Sequence, residues 1–502
     1  MINPDNPPQD VFIIGAGPAG LTAAYLLTKE KVSVTVIEEN PLLVGGISRT
    51  EKYKNFLFDI GGHRFFSKSS DVVKLWEEIL PDDLIDRPRL SRIFYGNKFY
   101  SYPLKPFEAL NNLGVFISIQ CVVSYFWAQL LPIKNPKTFH HWVRNQFGEK
   151  LFSIFFKSYT EKVWGMSCDE ISADWAAQRI KGLSLWGAIF TSFQKSFTFL
   201  GGKKKSPIIK TLIESFKYPR KGPGMLWEKA AEKIVSQGGY IFMGESFEKC
   251  SYSNEEGLWK IITTDRLKNK KTYFAKHLIS SCPLSQLVSN ISPPLNTIPD
   301  ASSLKYRDFI TVALIGTDIQ DFPDNWVYIH DPNVRVGRVQ NFRSWSPEMV
   351  PSQDLMCLGL EYFCFEGDGL WSMRDDDLIR LAKQEIEKIG LMSQDRVIDG
   401  VVVRQPKAYP VYDDGYREKL FRIQAELEEK YPTLHTIGRN GMHKYNNQDH
   451  AMMTAMLTVK NILNGSKKYD VWMVNEDAEY HESGYNSAGE VLASERTVPS
   501  KR

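Results

Sequence analysis

Cysteine is scarce in this chain. Six occur in 502 residues, at Cys121, Cys168, Cys250, Cys282, Cys357 and Cys364, and no two form a CxxC pair. No histidine stands at zinc-finger spacing from such a pair. The spacing therefore writes neither a structural zinc site nor a disulfide scaffold, and no metal is expected. An excess of charge of one sign is also lacking. Lys and Arg number 62 against 59 Asp and Glu, a formal net charge of +3. A nucleic-acid-binding protein would carry a clear basic excess. The first ten residues, MINPDNPPQD, lack the basic and then apolar stretches of a secretory leader. Free thiols and this start lead us to expect a cytoplasmic protein. No internal repeat is evident.

What is present is a folded enzyme-sized chain. A hydrophobic fraction of 43% and a charged fraction of 24% suit a globular protein with a large core in two or three domains. Residues 11–14 (VFII) predict a buried strand. A glycine-rich turn follows, then the apolar-periodic LTAAYLL, then a second strand over 32–37. That order is a βαβ unit and predicts a parallel sheet covered by helices. Further strands are expected at YIFMG, 277–281, 308–316 and 355–364, and helices at WEKAAEKIVSQGG, 376–389 and 416–430.

The turn is Gly15-Ala16-Gly17-Pro18-Ala19-Gly20. Gly15 allows the tight turn, Gly17 lets the backbone approach a pyrophosphate, and Gly20 lets the helix pack on the strand. Glu38 ends the second strand, where a carboxylate can accept hydrogen bonds from a ribose diol. Gly45-Gly46 and Ser48-Arg49 follow. This spacing separates FAD proteins from plain NAD domains, so FAD is the expected cofactor. Next comes Phe58-Asp59-Ile60-Gly61-Gly62-His63-Arg64, in which paired glycines can run against a flat ring with His63 beside it. Near the C-terminus, Gly438-Arg439-Asn440-Gly441 precedes Tyr445-Asn446-Asn447-Gln448-Asp449-His450 and an apolar helix. In two-part FAD folds such a segment closes over the flavin. Read by itself it is a helix start capped by Asn447 or Asp449.

At these motifs the sequence resembles UDP-galactopyranose mutases, flavoenzymes of the amine oxidase and protoporphyrinogen oxidase clan. FDIGGHRFFS (58–67) is similar to their histidine loop. FFKSYTEKVWGMSCDEISADWAAQRI (155–180) is similar to a segment ending in a phosphate-binding arginine. WVYIHDPNVRVGRVQNFRSWSP (326–347) resembles a strand pair supplying a tyrosine and a second arginine, and GRNGMHKYNNQD (438–449) the closing FAD motif. The resemblance implies that Arg179 and Arg338 clamp a substrate diphosphate, aided by Tyr328, Tyr409 and Tyr445. Gly438, Arg439, Asn447 and Gln448 would join the FAD site, and His63 would position the flavin. The implied reaction is a sugar isomerisation without net redox, in which N5 of reduced flavin attacks the anomeric carbon. NAD(P)H is the candidate reductant, and cell-surface polysaccharide synthesis the implied context. The alternatives are an oxidoreductase of the same clan (amine oxidase, protoporphyrinogen oxidase or desaturase) and a non-enzymatic flavin-binding protein.

The implied fold is α/β: a Rossmann-type FAD domain with a parallel sheet, a mixed-sheet substrate domain and a helical insertion. The expected divisions are an FAD part at 1–100, the insertion at 101–220, an FAD-domain return at 221–285, an antiparallel-sheet substrate domain at 286–415, an FAD-closing part at 416–484 and a polar tail at 485–502. Two stretches depart from the mutase pattern. The run 109–133, ALNNLGVFISIQCVVSYFWAQLLPI, carries no charge. A buried helix is expected there, with a helix on a membrane surface and a membrane span as the other readings. Residues 183–221 combine an apolar-aromatic patch with lysines. Both stretches suggest a lipid-linked substrate or a position at the inner face of a membrane. After Tyr102-Pro103, LKPF replaces the phenylalanine, glutamine and asparagines common in mutases, so the sugar and its carrier stay open.

Overall fold

The computed structural model describes residues 8–102, 104–173, 215–317, 322–413 and 415–475. Two sheets organise them. The first is eight-stranded. Gln9–Ile14 pairs in parallel with Val34–Glu38 on one side and Lys270–Ser280 on the other. Tyr240–Met243 and Leu434–Thr436 extend this parallel core. Glu245–Ser253, Leu258–Asp265 and Lys270–Ser280 form an antiparallel meander at one edge. The apolar VFII run is buried throughout, as a strand covered on both faces requires.

The helix Pro18–Lys29 starts with proline in its first turn, where a missing N–H costs nothing, and ends with Lys29 near its C-terminus. Its small residues seat it close to the sheet. A Cβ at Gly20 would lie 1.9 Å from the Gly15 carbonyl oxygen. The helices Gly224–Ser236 and Gln448–Leu463 pack against it in one core with Val11, Ile13 and Val36.

The second sheet has seven strands, in the order Val397–Pro410, Tyr306–Thr317, Leu355–Cys364, Arg338–Asn341, Trp326–Ile329, Ser91–Tyr95, Lys98–Ser101. Only the Trp326–Ile329 and Ser91–Tyr95 pair is parallel. Tyr306–Thr317 is buried on both faces, and its period of two sorts the residues. Ile310, Val312 and Leu314 share a core with Leu378, Ala382 and Ile386 of the helix Asp375–Ile389. Phe309, Ala313 and Ile315 face the other way, toward Ile60 and Phe58. The histidine loop thus lies on the second sheet.

Several expectations change. The strands Ser91–Tyr95 and Lys98–Ser101 belong to the second sheet, although the division at residue 100 puts them with the FAD part. Leu287, Val288, Ile291, Leu295, Ala301 and Leu304 pack in one core with Phe12, Ile14 and Ile37 of the first sheet, although the division at 286 gives them to the substrate domain. The charge-free run is not one buried helix. Gly114, at φ +84°, breaks it into Pro106–Leu113 and Val115–Leu130. Only Cys121, Tyr125 and Ala128 of the second helix are buried. An uncharged run makes a helix apolar without ensuring neighbours for all its faces. No helix among the described residues is long and apolar enough to cross a membrane. The patch at 183–221 falls largely outside the described residues, which resume with the strand Ser215–Pro219.

Candidate active site at the junction of the two sheets

The glycine turn leaves one surface bare. A Cβ at Gly17 would meet no protein atom closer than Gly46 Cα, at 3.8 Å. Gly17 is the N-cap of the Pro18–Lys29 helix, and no side chain caps the helix there. Its first N–H groups are therefore free to meet an anion, and the helix dipole favours one. Pro18 and Ala19 form the first turn, and Gly45 N–H donates to the Ala16 carbonyl at 2.8 Å, holding the Gly45-Gly46 turn beside it. Ser48 is buried under this turn. Arg49 ties the turn to the second sheet by donating to Gly46 O at 3.0 Å and to Gln405 Oε1 at 2.9 Å.

Glu38 stands where the spacing predicts. Its Oε2 accepts from Ala16 N–H at 2.8 Å and its Oε1 from Asn40 N–H at 2.9 Å. Burial raises its pKa, and these two amides oppose the rise. Each oxygen keeps further acceptor capacity.

The C-terminal motif closes on the same helix. A Cβ at Gly438 would lie 3.0 Å from Ala19 Cβ, and Gly438 N–H donates to Thr454 Oγ1 at 2.9 Å. Asn447 proves to be the N-cap of the Gln448–Leu463 helix, in a capping box with His450. Gln448 Nε2 donates to the Arg64 carbonyl at 3.2 Å, while its buried Oε1 has no partner among the described residues.

His63 lies between the two halves. Among the described residues its buried Nδ1 has no hydrogen-bond partner. Burial first, then the charges of Arg439 and Arg338, push its pKa down to about 3, so the imidazole is neutral at physiological pH. Gly62 is hemmed from behind, since a Cβ there would stand 3.0 Å from Gln340 Nε2.

The second sheet contributes a row of side chains. Tyr328, Arg338, Glu361 and Thr311 stand opposite one another on four adjacent strands. Residues directly across a ladder share a face. Arg338 donates from Nε to Glu361 Oε2 at 2.6 Å, and the same oxygen lies 2.5 Å from its Nη2. Nη2 also donates to the Tyr409 hydroxyl at 3.2 Å. Among the described residues, Nη1 donates to none. Burial works against the guanidinium charge, but Glu361 outweighs it and holds the pKa well above the usual value. Gln340 Nε2 donates to Glu361 Oε1 at 2.9 Å, and Trp345 Nε1 to Gln340 Oε1 at 3.1 Å.

Tyrosines wall the rest. Tyr409 and Tyr445 stack at 5.3 Å with an 11° interplanar angle, and Arg439 sits over both rings. Arg439 is held by the Asn446 and Ala408 carbonyls at 2.8 and 3.0 Å. Tyr159 meets Tyr328 edge-on at 5.5 Å and stacks on His330 at 4.7 Å. The structure thus brings together His63, Tyr328, Arg338, Tyr409, Arg439 and Tyr445. Arg179 lies outside the described residues.

Sequence reasoning missed Glu361 and Tyr159. Glu361 is fully buried and is the one charged residue in the strand LMCLGLEYFC. A lone carboxylate in an apolar strand was the available signal, because burial of a charge demands a partner. Tyr159 lies inside the FFKSYTEKVWG motif but had no signal of its own.

The bare face of Gly17, the uncapped helix start and the unpaired Nδ1 of His63 and Oε1 of Gln448 together fit a dinucleotide that carries a polar-edged ring.

Comparison with known proteins agrees with this geometry. Residues 13–79 match the NAD(P)-binding Rossmann-like domain. A dTDP-fucopyranose mutase of Escherichia coli is 26% identical over 179 residues, 32% of this chain and 44% of that protein, so less than half of that relative's length is matched. Coproporphyrinogen III oxidase of Staphylococcus aureus is 19% identical over 86% of this chain and 94% of its own length. Among solved structures, a reduced UDP-galactopyranose mutase superposes with a TM-score of 0.77 at 20% identity, over 95% of this chain and 97% of the other. The fold is the expected one, a Rossmann-like domain with a parallel sheet joined to a second mixed sheet. The resemblance to sugar mutases is matched by relatives bearing those names.

Proposed function

We propose that this chain is an FAD-dependent sugar mutase acting on a diphosphate-linked sugar. The observation that carries the reading is the Tyr328–Arg338–Glu361 row facing the histidine loop. A buried guanidinium with one amino group to spare, ringed by phenols, suits phosphate oxygens. Glu361 anchors two of the five donors and fixes the plane of the fork. Tyr328, Tyr409 and Tyr445 would donate neutral hydrogen bonds to the same diphosphate, and Arg179 would supply the second cation.

The residues present also fit FAD. Gly15, Gly17 and Gly20 would receive its pyrophosphate, Glu38 its ribose diol, and Gly61, Gly62 and His63 its ring. Gly438, Arg439, Asn447 and Gln448 would close over it. When bound and reduced, FAD supplies a nucleophilic ring nitrogen for the anomeric carbon. The chain's own task is to hold the sugar diphosphate in line, stabilise the charge that grows on the departing diphosphate, and keep water out. Neutral His63 serves as a hydrogen-bonding group beside the ring and not as an acid.

A clan oxidoreductase is the second reading. It is favoured by the match to coproporphyrinogen III oxidase over most of both chains. In that case the Arg338 fork would meet a carboxylate. The deciding assay is anaerobic, with UDP-galactofuranose and dithionite-reduced protein. Pyranose formed by the reduced form alone supports the mutase. No conversion in either state, with oxygen consumed alongside a candidate reductant, overturns it.

A further inference from the structure

The helix Val115–Leu130 has two apolar faces, and among the described residues one of them is packed. Cys121, Tyr125 and Ala128 point inward. The packing there is close: a Cβ at Gly148 would lie 2.7 Å from the Tyr125 backbone nitrogen. On the other side Phe116, Ile119, Val123, Trp127 and Leu130 form a continuous exposed stripe at helical spacing. Phe116 is 76% exposed and Trp127 61%. Where the run breaks at Gly114, Leu110, Val115 and Val122 wall an open groove of about 450 Å³. Isolated exposed apolar residues need no explanation, but a complete stripe does.

The charges around the stripe identify what covers it. From 109 to 148 the chain has no carboxylate, while Lys134 and Lys137 stand exposed. Lys98 and Lys105 are exposed at the two ends of the preceding helix, where Lys98 Nζ donates to the Asn112 carbonyl at 2.6 Å. The neighbouring acids are already engaged. Glu108 accepts from Ser101, and Glu149 pairs with His140 at 3.0 Å and Arg144 at 3.7 Å. A two-fold contact would bring this patch against itself, lysine facing lysine. An anionic lipid surface accepts both the aromatic stripe and the basic rim.

We propose that the outer face of Val115–Leu130 seats the protein on an anionic membrane surface, with the helix lying in the interface. The inference is independent of the chemistry proposed above. The test is co-sedimentation of the full, FAD-loaded chain with phosphatidylglycerol–phosphatidylcholine vesicles and with phosphatidylcholine alone. We expect binding to the first and little to the second. V123E/W127E should lose roughly tenfold or more of the bound fraction while keeping its flavin and melting temperature. Leu267→Glu, on an exposed leucine remote from the stripe, should bind as the parent does. If the double variant fails to fold, Trp127→Gln alone serves, with a smaller loss expected. Absence of binding to anionic vesicles overturns the proposal. So does equal binding by V123E/W127E, or a concentration-dependent dimer that the variant abolishes without any vesicle binding.

Discussion

Where the first sheet meets the site it presents Gly15, Gly17 and Gly20 with a single carboxylate, Glu38. Where the second meets it, it presents Arg338, Glu361 and Gln340 in a hydrogen-bonded chain, with tyrosines around them. One half offers backbone and empty space. The other offers charge held in a dry setting. Damage to the two should therefore look different. The first half fails by steric entry, and the second by loss of charge with the fold intact.

The largest effect is expected at Gly20. The Cβ of a valine there collides with the Gly15 backbone carbonyl, which cannot rotate aside, so the Gly20→Val protein should not accumulate as a folded flavoprotein, as checked by soluble yield and flavin absorbance. Gly17→Val is the sharper test. Its Cβ has room in the protein, so the variant should fold, melt near the parent temperature and purify without flavin. A yellow Gly17→Val protein would break the contrast between the two halves.

On the second sheet, Glu361→Ala leaves the Arg338 guanidinium buried without its partner. We expect a loss of about 3–5 kcal/mol in chemical denaturation. Arg338→Ala should keep FAD and lose turnover by about 10²–10³-fold, the scale for removing one charge-stabilising donor. Near-parental activity of Arg338→Ala would remove Arg338 from the diphosphate site. Tyr409→Phe removes one hydroxyl at 3.2 Å from that arginine. A fall of about tenfold or less is expected, in line with one hydrogen bond of about 1 kcal/mol.

The most gradual effect is in pH. Burial lowers His63, His330 and His435 to about 3 and His443 to about 4. Below about pH 6.5 the unfolded chain takes up protons that the folded chain refuses. Stability should then fall as the pH drops from 6.5 toward 4, by up to about 1.4 kcal/mol per pH unit for each histidine. His63→Gln should remove one share of that slope, read from urea midpoints at several pH values. An unchanged slope would mean that His63 is solvated.

The same contrast explains what could be read in advance. The glycine half is local: strand, turn, helix and second strand lie within residues 9–38. Its requirement, a missing side chain at fixed spacing, is visible in the letters themselves. The charged half is assembled by register. Arg338 meets Glu361 only because their strands pair in one alignment, and no spacing along the chain states that alignment. Family resemblance pointed to Arg338, Tyr328, Tyr409 and Tyr445, but not to Tyr159 or to the carboxylate behind the arginine. The Val115–Leu130 helix was misjudged for a related reason. Its composition gives its affinity for an apolar setting and leaves open whether protein supplies that setting.

Gln448 bonds to the carbonyl of Arg64 across 384 positions of sequence, and the helix it begins covers Pro18–Lys29. On the ribosome, the glycine turn emerges long before its cover. Until the helix that Gln448 begins has been made, Leu21, Ala24 and Leu27 lack neighbours that bury them in the folded protein. Closure of the proposed flavin pocket thus waits for that distant helix. A polypeptide stopped short of residue 448 would present that apolar face to chaperones and proteases instead of a cofactor.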